Sequence, residues 1–390
     1  MKKVLLLNKI SPLGLNLFDK DAYELGDGVE NPDGILVRSA KMHDMTPGEN
    51  LVAVARAGAG VNNIPVDAFS EKGIAVFNTP GANANGVKEL TLAALFLAAR
   101  NVSGGIKWAS GLTAEEDVAK TVEKGKSAFG GIELEGKTLG VIGLGAIGGK
   151  VANAAASSAI GMNVIGYDPF LSIDSAWNLS RSVKRASGYE EIFKTCDFIT
   201  LHIPATKDTK GMINKDVLAM MKDGVRIINL SRAELVDTEA MKEALLQGKV
   251  ARYVTDFPTN DTIGVEGIVT IPHLGASTEE SEDNCAIYAA KELIDYLENG
   301  NIKNSVNYPN VSMPRSSALR LCVLHRNIPA VLSRISSAVA EEKINIAHMM
   351  NASKGEFAYT LTDLDTTAVS KELIDHIMAV EGVIRVRVIE

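Results

Sequence analysis

The sequence predicts an α/β protein: two doubly wound parallel sheets in series, followed by a small mixed module. Short apolar strands alternate with helical or turn segments over residues 1–95. The alternation restarts near residue 136, at LEGKTLGVIGLGAIGG. The end of the chain then follows the order βαββαβ in about 75 residues, a ferredoxin-like arrangement.

The first sheet takes its strands from VLLL at 4–7, GILVRS at 34–39, LVAVARAG at 51–58 and IAVFNTP at 74–80. The stretch after the first strand is too polar to assign a helix. Beyond Asn78-Thr79-Pro80-Gly81, the segment VKELTLAALFLAARN is helical and apolar nearly all round, which predicts burial between domains. Residues 101–130 form an excursion with a polar helix near TAEEDVAK. The second sheet is expected from NVIGYD, FITLHI, VRIINL and ARYVTD, with a further strand at IVTIP. Helices between them fall at IGGKVANAAASSAI, YEEIFKTC, NKDVLAMM and DTEAMKEALLQG. The long amphipathic helix EESEDNCAIYAAKELIDYLENG, 279–300, leads back to the first domain. YPNVSMPRSS at 308–317 is expected to be a linker. The module then runs ALRLCVLH, PAVLSRISSAVAEEK, INIAHMMNAS, FAYTLTDL, VSKELIDHIMAV, VIRVRVI. The expected domains are thus 1–95 with 280–307 for substrate, 96–279 for the dinucleotide, 308–317 as linker and 318–390 as regulatory module.

The 390 residues are 46% hydrophobic and carry a formal charge of -8. That balance disfavours nucleic acid and anionic membranes as partners. Cys196, Cys285 and Cys322 are far apart and suit neither a disulfide framework nor a metal site. No His/Asp cluster has metal-ligand spacing. MKKVLLLNKI is better explained as a first strand than as an export signal, and no apolar run is long enough to span a bilayer. A soluble, cytoplasmic protein with reduced thiols is expected.

Gly143-Leu144-Gly145-Ala146-Ile147-Gly148 matches G-x-G-x-x-G between an apolar strand and a helical pattern. Gly143 allows the tight turn, Gly145 lets the backbone approach a pyrophosphate, and Gly148 lets the helix pack on the sheet. The phosphates meet the free N–H groups of the helix start. Asp168 ends the next strand, where a carboxylate accepts from ribose hydroxyls and disfavours the extra phosphate of NADP. NAD is therefore the expected cofactor, on a Rossmann-like domain.

Arg232 directly follows VRIINL, at a strand end where open α/β sheets bind ligands. A guanidinium there can grip a carboxylate in a bidentate pair. His273 follows IVTIP at another strand end, and an imidazole titrates near neutrality.

With ARAGAGVNNI at 55–64, FNTPGANANGVKEL at 77–90, GKTLGVIGLGAIG at 136–148, INLSRAELVD at 228–237 and PHLGAST at 272–278, the chain resembles the D-isomer-specific 2-hydroxyacid dehydrogenases over nearly its whole length. HRNIPAVLSRI and INIAHMM resemble the ACT module that closes the branch acting on 3-phospho-D-glycerate. The resemblance implies that Arg232 binds the substrate carboxylate. It implies that His273 accepts the C2 hydroxyl proton as hydride leaves for NAD. It places Arg38 and Ser39, and Arg56 with Gly58, Ala59 and Gly60, on the substrate, with Arg38 the first candidate for a phosphate. It places Gly143, Gly145, Ala146, Ile147, Gly148, Asp168, His202, Pro204, Leu230, Ser231, Arg232, Asp256, Gly275 and Ala276 along the cofactor. His325, Asn327 and Asn345 match the residues that bind L-serine as a feedback inhibitor between paired modules, which implies a homodimer or homotetramer. A chain shortened near Tyr308 is then expected to keep turnover and lose the serine response.

One position departs from the family. A glutamate usually orients the histidine, and the phrase FPTN puts Asn260 in its place. Asp256, Asp261 and Glu266 are the nearby carboxylates. Asp256 is favoured because it ends a strand of the same sheet, although it would equally suit the nicotinamide amide. Two alternatives stay open. One is a dehydrogenase for another D-2-hydroxy acid, such as glycerate or 2-hydroxyglutarate. The other is a non-catalytic NAD-sensing interaction protein.

Overall fold

The computed structural model describes residues 1–390, the side chain of Asp174 apart. Among these the chain divides into two compact units, Met1–Asn83 with Glu279–Glu390, and Ala84–Thr278.

The first unit opens with a parallel sheet of β1 (Lys2–Leu7), β2 (Tyr23–Gly26), β3 (Gly34–Val37), β4 (Ala53–Arg56) and β5 (Ala75–Phe77). Their order is β2-β1-β3-β4-β5. Central β3 reads GILV and is buried throughout, as a parallel strand covered on both faces requires. Strand β2, YELG, is short and half polar, and its pattern gave no signal. The order reverses between β1 and β3, so their carboxyl ends frame the crevice where such sheets take ligands.

The second unit holds β6 (Thr138–Ile142), β7 (Asn163–Tyr167), β8 (Val183–Arg185), β9 (Phe198–Leu201), β10 (Val225–Asn229), β11 (Val250–Thr255) and β12 (Ile268–Thr270). The order β12-β11-β10-β9-β6-β7-β8 is doubly wound, with its switch point between β6 and β9. The apolar helix Ala84–Ala99 belongs to this unit, and its Ala94, Leu95 and Ala98 join the core beneath β6 and β10. The unit boundary thus falls after Asn83 and not at the expected residue 95. The polar excursion is split: Leu112–Ala114 is a 3-10 turn, and Asp117 caps the helix Val118–Gly125.

The last sheet is antiparallel and lies in the first unit. Its strands β13 (Leu319–Arg326), β14 (Ile346–Lys354), β15 (Phe357–Leu364) and β16 (Val383–Ile389) stand in the order β14-β15-β13-β16. Helices Val331–Glu341 and Lys371–Met378 cover one face with Leu321, Val323, Ile335 and Ile377. The protein is therefore two Rossmann-like sheets plus a small ferredoxin-like domain, the expected class.

The opposite face of this sheet is not free. Cys322, Leu324, Tyr359 and Leu361 share one core with Phe77, Leu293 and Tyr296 of the first unit's opening part and long helix. Each large side chain buried this way contributes about 1.5–3 kcal/mol. Arginines reinforce the join. Arg387 stacks 4.4 Å from the Tyr296 ring, and Arg320 donates to the Asn299 carbonyl at 2.9 Å. The Arg320 guanidinium also forms an ion pair with Asp363, both fully buried. Residues 308–317 are consequently no free linker. Tyr308, Val311 and Met313 are buried, and Tyr308 Oη donates to the Ser70 carbonyl at 2.7 Å. Pro and Ser composition reports local stiffness and polarity, and says nothing about a strap packed against a neighbour. All three cysteines are buried and free, and burial pushes the Cys196 thiol up to about 12. No helix among the described residues is long and apolar enough to cross a membrane.

Candidate active site

The glycine loop sits at the switch point of the second sheet. Gly143 has φ +88, and a Cβ there would lie 2.4 Å from the His202 carbonyl oxygen. A Cβ on Gly148 would lie 1.9 Å from the Gly143 carbonyl oxygen, so only glycine closes this turn. Gly145 differs: nothing lies within 4 Å of its would-be Cβ. Its backbone is bare toward solvent, with Ala146 exposed beside it, as a pyrophosphate cradle requires. Asp168 is tied to the loop, its Oδ2 accepting from Leu144 N at 2.9 Å and its Oδ1 from Phe170 N at 2.9 Å. The residues present therefore fit a dinucleotide.

His202 plays a structural part here. Its Nε2 lies 3.0 Å from Thr200 Oγ1, and burial pushes the imidazole down to about 4. A neutral ring fixes the end of β9, and Pro204 follows it, exposed. Ser231 Oγ donates to the Ile203 carbonyl at 2.7 Å, so the ends of β9 and β10 are stitched together. Leu230 is buried at the base of that turn.

Arg232 is presented by Asn229, a residue the sequence reading did not single out. Asn229 is fully buried at the end of β10. Its Oδ1 accepts from Ser231 N and Arg232 N, and its Nδ2 donates to the Arg232 carbonyl at 2.8 Å. An amide inside a sheet at a strand end is the signal that would have found it. The Arg232 side chain is exposed, with Nη1 donating to the Ser231 carbonyl at 2.6 Å.

His273 is exposed and leans on Phe257, with ring centroids 4.9 Å apart. Asp256 is 1% exposed, just past β11. Neither of its carboxylate oxygens is in hydrogen-bonding geometry with any described group. Burial raises its pKa, while the charges of His273 and Arg232 and the nearby N–H of Gly275 pull it back. Its Oδ2 lies 3.6 Å from where a Gly275 Cβ would stand, so the buried Gly275 backbone packs directly against the carboxylate, with Ala276 next along the turn. Asn260, Asp261 and Glu266 are all exposed, and Asp261 acts on Lys242. Of the three candidate carboxylates, Asp256 is the one found coupled to His273. A guanidinium, an imidazole and a buried carboxylate thus meet at the carboxyl ends of β10, β11 and β12.

Residues 93–275 match the family model "D-isomer specific 2-hydroxyacid dehydrogenase, NAD binding domain". The D-3-phosphoglycerate dehydrogenase of Haemophilus influenzae is 32% identical over 386 residues, covering 95% of this chain and 89% of that protein. The chain belongs to the D-isomer-specific 2-hydroxyacid dehydrogenases. The Methanocaldococcus jannaschii D-3-phosphoglycerate dehydrogenase is 35% identical over 364 residues, and the match spans 91% of this chain and 66% of that longer protein. Among solved structures, NAD+-bound 3-phosphoglycerate dehydrogenase of Entamoeba histolytica matches 78% of this chain and 98% of its own, with 27% identity and a TM-score of 0.59. Rhodotorula graminis D-mandelate dehydrogenase shares the fold, at a TM-score of 0.66 and 21% identity over 80% of this chain and 99% of its own. The protein is an NAD-binding oxidoreductase of this family.

The remaining positions of this family member lie in its other unit. Asn8, at the end of β1, has φ +80, and its Oδ1 accepts from the backbone N–H of Arg38, Ser39 and Ala40 just past β3. The 38–40 turn is therefore shaped at the switch point of the first sheet. Arg38 forms an ion pair with Glu282. Arg56 ends β4, and its Nε donates to the Arg38 carbonyl at 3.0 Å. The Arg56 guanidinium nests in the loop that follows: a Cβ on Gly58 would lie 2.7 Å from Nη1, and one on Gly60 3.5 Å. Asn78 Nδ2 fixes that loop by donating to the Ala59 carbonyl at 2.5 Å.

The three module residues do not converge within one chain. His325 sits at the end of β13 opposite Ala358, buried, with Nε2 2.9 Å from Thr360 Oγ1. Asn327 Nδ2 donates to the Gly355 carbonyl at 3.1 Å, near the same end. Asn345 precedes β14 and donates to Asp365 at 2.6 Å, at the far end of β15. The helix between them starts at Ala330, whose φ of +70 is a left-handed position held by a residue with a Cβ.

Proposed function

We propose that this protein oxidises 3-phospho-D-glycerate at C2 to 3-phosphooxypyruvate, the entry to L-serine synthesis by the phosphorylated route. The supporting observation is the meeting of Arg232, His273 and Asp256 in the unit that carries the dinucleotide loop. NAD, held along Gly143–Gly148 and Asp168, supplies the acceptor for the hydride that leaves C2. Arg232 grips the carboxylate in a bidentate pair, and its charge favours alkoxide character on the C2 oxygen. His273 takes the hydroxyl proton. Asp256 offers the resulting imidazolium a counter-charge in the place of the family's glutamate, which Asn260 cannot do. Arg38 and Arg56, at the carboxyl ends of β3 and β4, receive the phosphate. The names of the relatives, phosphoglycerate dehydrogenases from several organisms, support the choice of acid.

A second reading keeps the chemistry and changes the acid to an unphosphorylated one such as D-glycerate or 2-hydroxyglutarate. The pairing of Arg38 with Glu282 favours it, because that cation already has a partner. NADH formation over a panel of D-2-hydroxy acids separates the two. A preference for 3-phospho-D-glycerate supports the first, and turnover of unphosphorylated acids alone replaces it with the second. No turnover of any of them leaves a non-catalytic NAD-binding protein.

L-Serine is the effector we assign to the terminal module. Because His325 and Asn345 stand at opposite ends of one sheet, such a site needs the modules of a homodimer or homotetramer. Serine that leaves the rate unchanged at saturating NAD and substrate removes this role.

A further inference from the structure

Glu282 is an acid placed on the anion-binding edge of the first sheet, where an enzyme for anionic substrates gains nothing from negative charge. We infer that Glu282 is a specificity-determining residue: it is the resident counter-ion of Arg38 and sets how strongly that arginine takes a phosphate. The inference rests on the reading of Arg38 as a substrate cation.

The geometry makes Glu282 a fixed competitor, not a wandering surface acid. It lies in the first turn of the helix Glu279–Asn299. The next residue, Asp283, accepts a hydrogen bond from Ser11 Oγ and pins that turn. One turn on, the backbone of Ala286 packs so closely on the helix Pro12–Leu15 that a Cβ on Gly14 would lie 2.6 Å from the Ala286 carbonyl carbon. The Arg38 backbone is equally fixed, by Asn8. Both ends of the ion pair are thus held by short-range packing.

The pair is also labile. The two side chains are 44% and 43% exposed, which is the regime where an ion pair holds weakly and an incoming anion displaces it. Its neighbour is different: Arg56 has no acidic partner among the described residues, lies half-buried and keeps its charge available. Arg56 is therefore free to take a singly or doubly charged anion, while Arg38 takes one only after Glu282 gives way. A phosphate dianion meets the partly screened repulsion of the displaced carboxylate. An unphosphorylated substrate does not call on Arg38. Glu282 thus lowers affinity for phosphorylated acids selectively, and makes that affinity tunable by whatever moves the first turn of the helix.

The test compares the full-length enzyme with Glu282→Gln and, as a control for bulk charge on the same turn, Glu279→Gln. Two quantities are read: the ratio of kcat/KM for 3-phospho-D-glycerate to that for D-glycerate, and the calorimetric Kd for inorganic phosphate. Glu282→Gln is expected to raise the ratio about 3- to 10-fold and tighten phosphate by a similar factor, the size of one partly screened charge. Glu279→Gln is expected to move neither by more than about twofold. Equal shifts for both acids, no shift, or the same shift in both variants overturns the inference. If the wild-type enzyme turns over no phosphorylated acid, the proposed reaction fails by itself. The phosphate Kd still decides the role of Glu282, and an unchanged value in Glu282→Gln refutes it.

Discussion

The charge of His273 reaches Asp256 across the ends of two neighbouring strands: burial raises the Asp256 pKa, and the imidazole draws it back. The carboxylate has almost no solvent to support its charge and no well-formed hydrogen bond, only the nearby backbone N–H of Gly275. A group in that state costs the fold something, and under the proposed function it serves the site. Replacing it separates the two effects. Asp256→Asn is expected to lower kcat about tenfold and move the acid limb of the kcat/KM profile to lower pH, since the imidazolium loses its counter-charge. The same variant should melt higher at neutral pH. The sign follows from a folded pKa above the unfolded one: stability is present below the unfolded value and lost as pH rises through the folded one. An unchanged pH profile with a raised melting temperature would make Asp256 a mere defect of packing.

Gly145 and Gly148 should fail in different ways. Gly145→Ala has room within the protein's own atoms and would meet only a pyrophosphate bound there. It should fold normally and weaken NAD by at least about tenfold, by fluorescence titration. Gly148→Ala drives a methyl into the Gly143 carbonyl and should lower the melting temperature as well. Normal stability of the second variant would mean that the turn relaxes freely.

Glu292 is pushed up to about 7 by burial, with one oxygen bound by Asn304 Nδ2 at 2.7 Å and the other without a partner. Its folded pKa exceeds the unfolded value of 4.5, so its stability contribution is complete below pH 4.5 and gone above about 7. Glu292→Gln keeps the acceptor and removes the charge. It should stabilise by about 1–2 kcal/mol at pH 8 and by nothing at pH 4, measured by thermal melts at both.

The ion pair of Arg320 and Asp363 is fully buried and its groups are otherwise well satisfied. Asp363→Ala leaves a guanidinium without a counter-charge and should cost about 3–5 kcal/mol. Chemical denaturation reads the loss directly. A cost below about 1 kcal/mol would show that water reaches Arg320 once the acid is gone.

Ala330 holds a left-handed φ of +70 at the start of the module's first helix. Ala330→Gly should raise stability by about 1 kcal/mol, because glycine carries no Cβ penalty there. A destabilised variant would indicate that the methyl makes contacts outweighing the strain.

What was legible in the sequence was what is encoded locally. The glycine loop, Asp168 and the strand-end placement of Arg232 and His273 each follow from a few adjacent residues, and the βαββαβ order follows from period alone. The short strands β2 and β8 escaped because YELG and VKR carry too little apolar pattern to stand out. The support of Arg232 by Asn229 and the grip of Asn8 on residues 38–40 escaped because each depends on a side chain turning inward at a strand end. The pairing of Glu282 with Arg38 joins residues far apart in the chain, which no window of sequence contains. Asp256 stood out from Asp261 and Glu266 in the sequence as the acid that ends a strand, but its burial against their exposure depends on packing that no short stretch encodes.

The shared core of Cys322, Leu324, Tyr359, Leu361 and Tyr296 changes what removing the tail means. A chain ending near Tyr308 would strip the long helix of its apolar cover and of the arginines that quench its final carbonyls. The tail is therefore not a detachable cassette. Transplanting it onto another dehydrogenase would require carrying the helix face along, and a small molecule that loosens it would register first as a softening of the scaffold beneath Arg38 and Arg56.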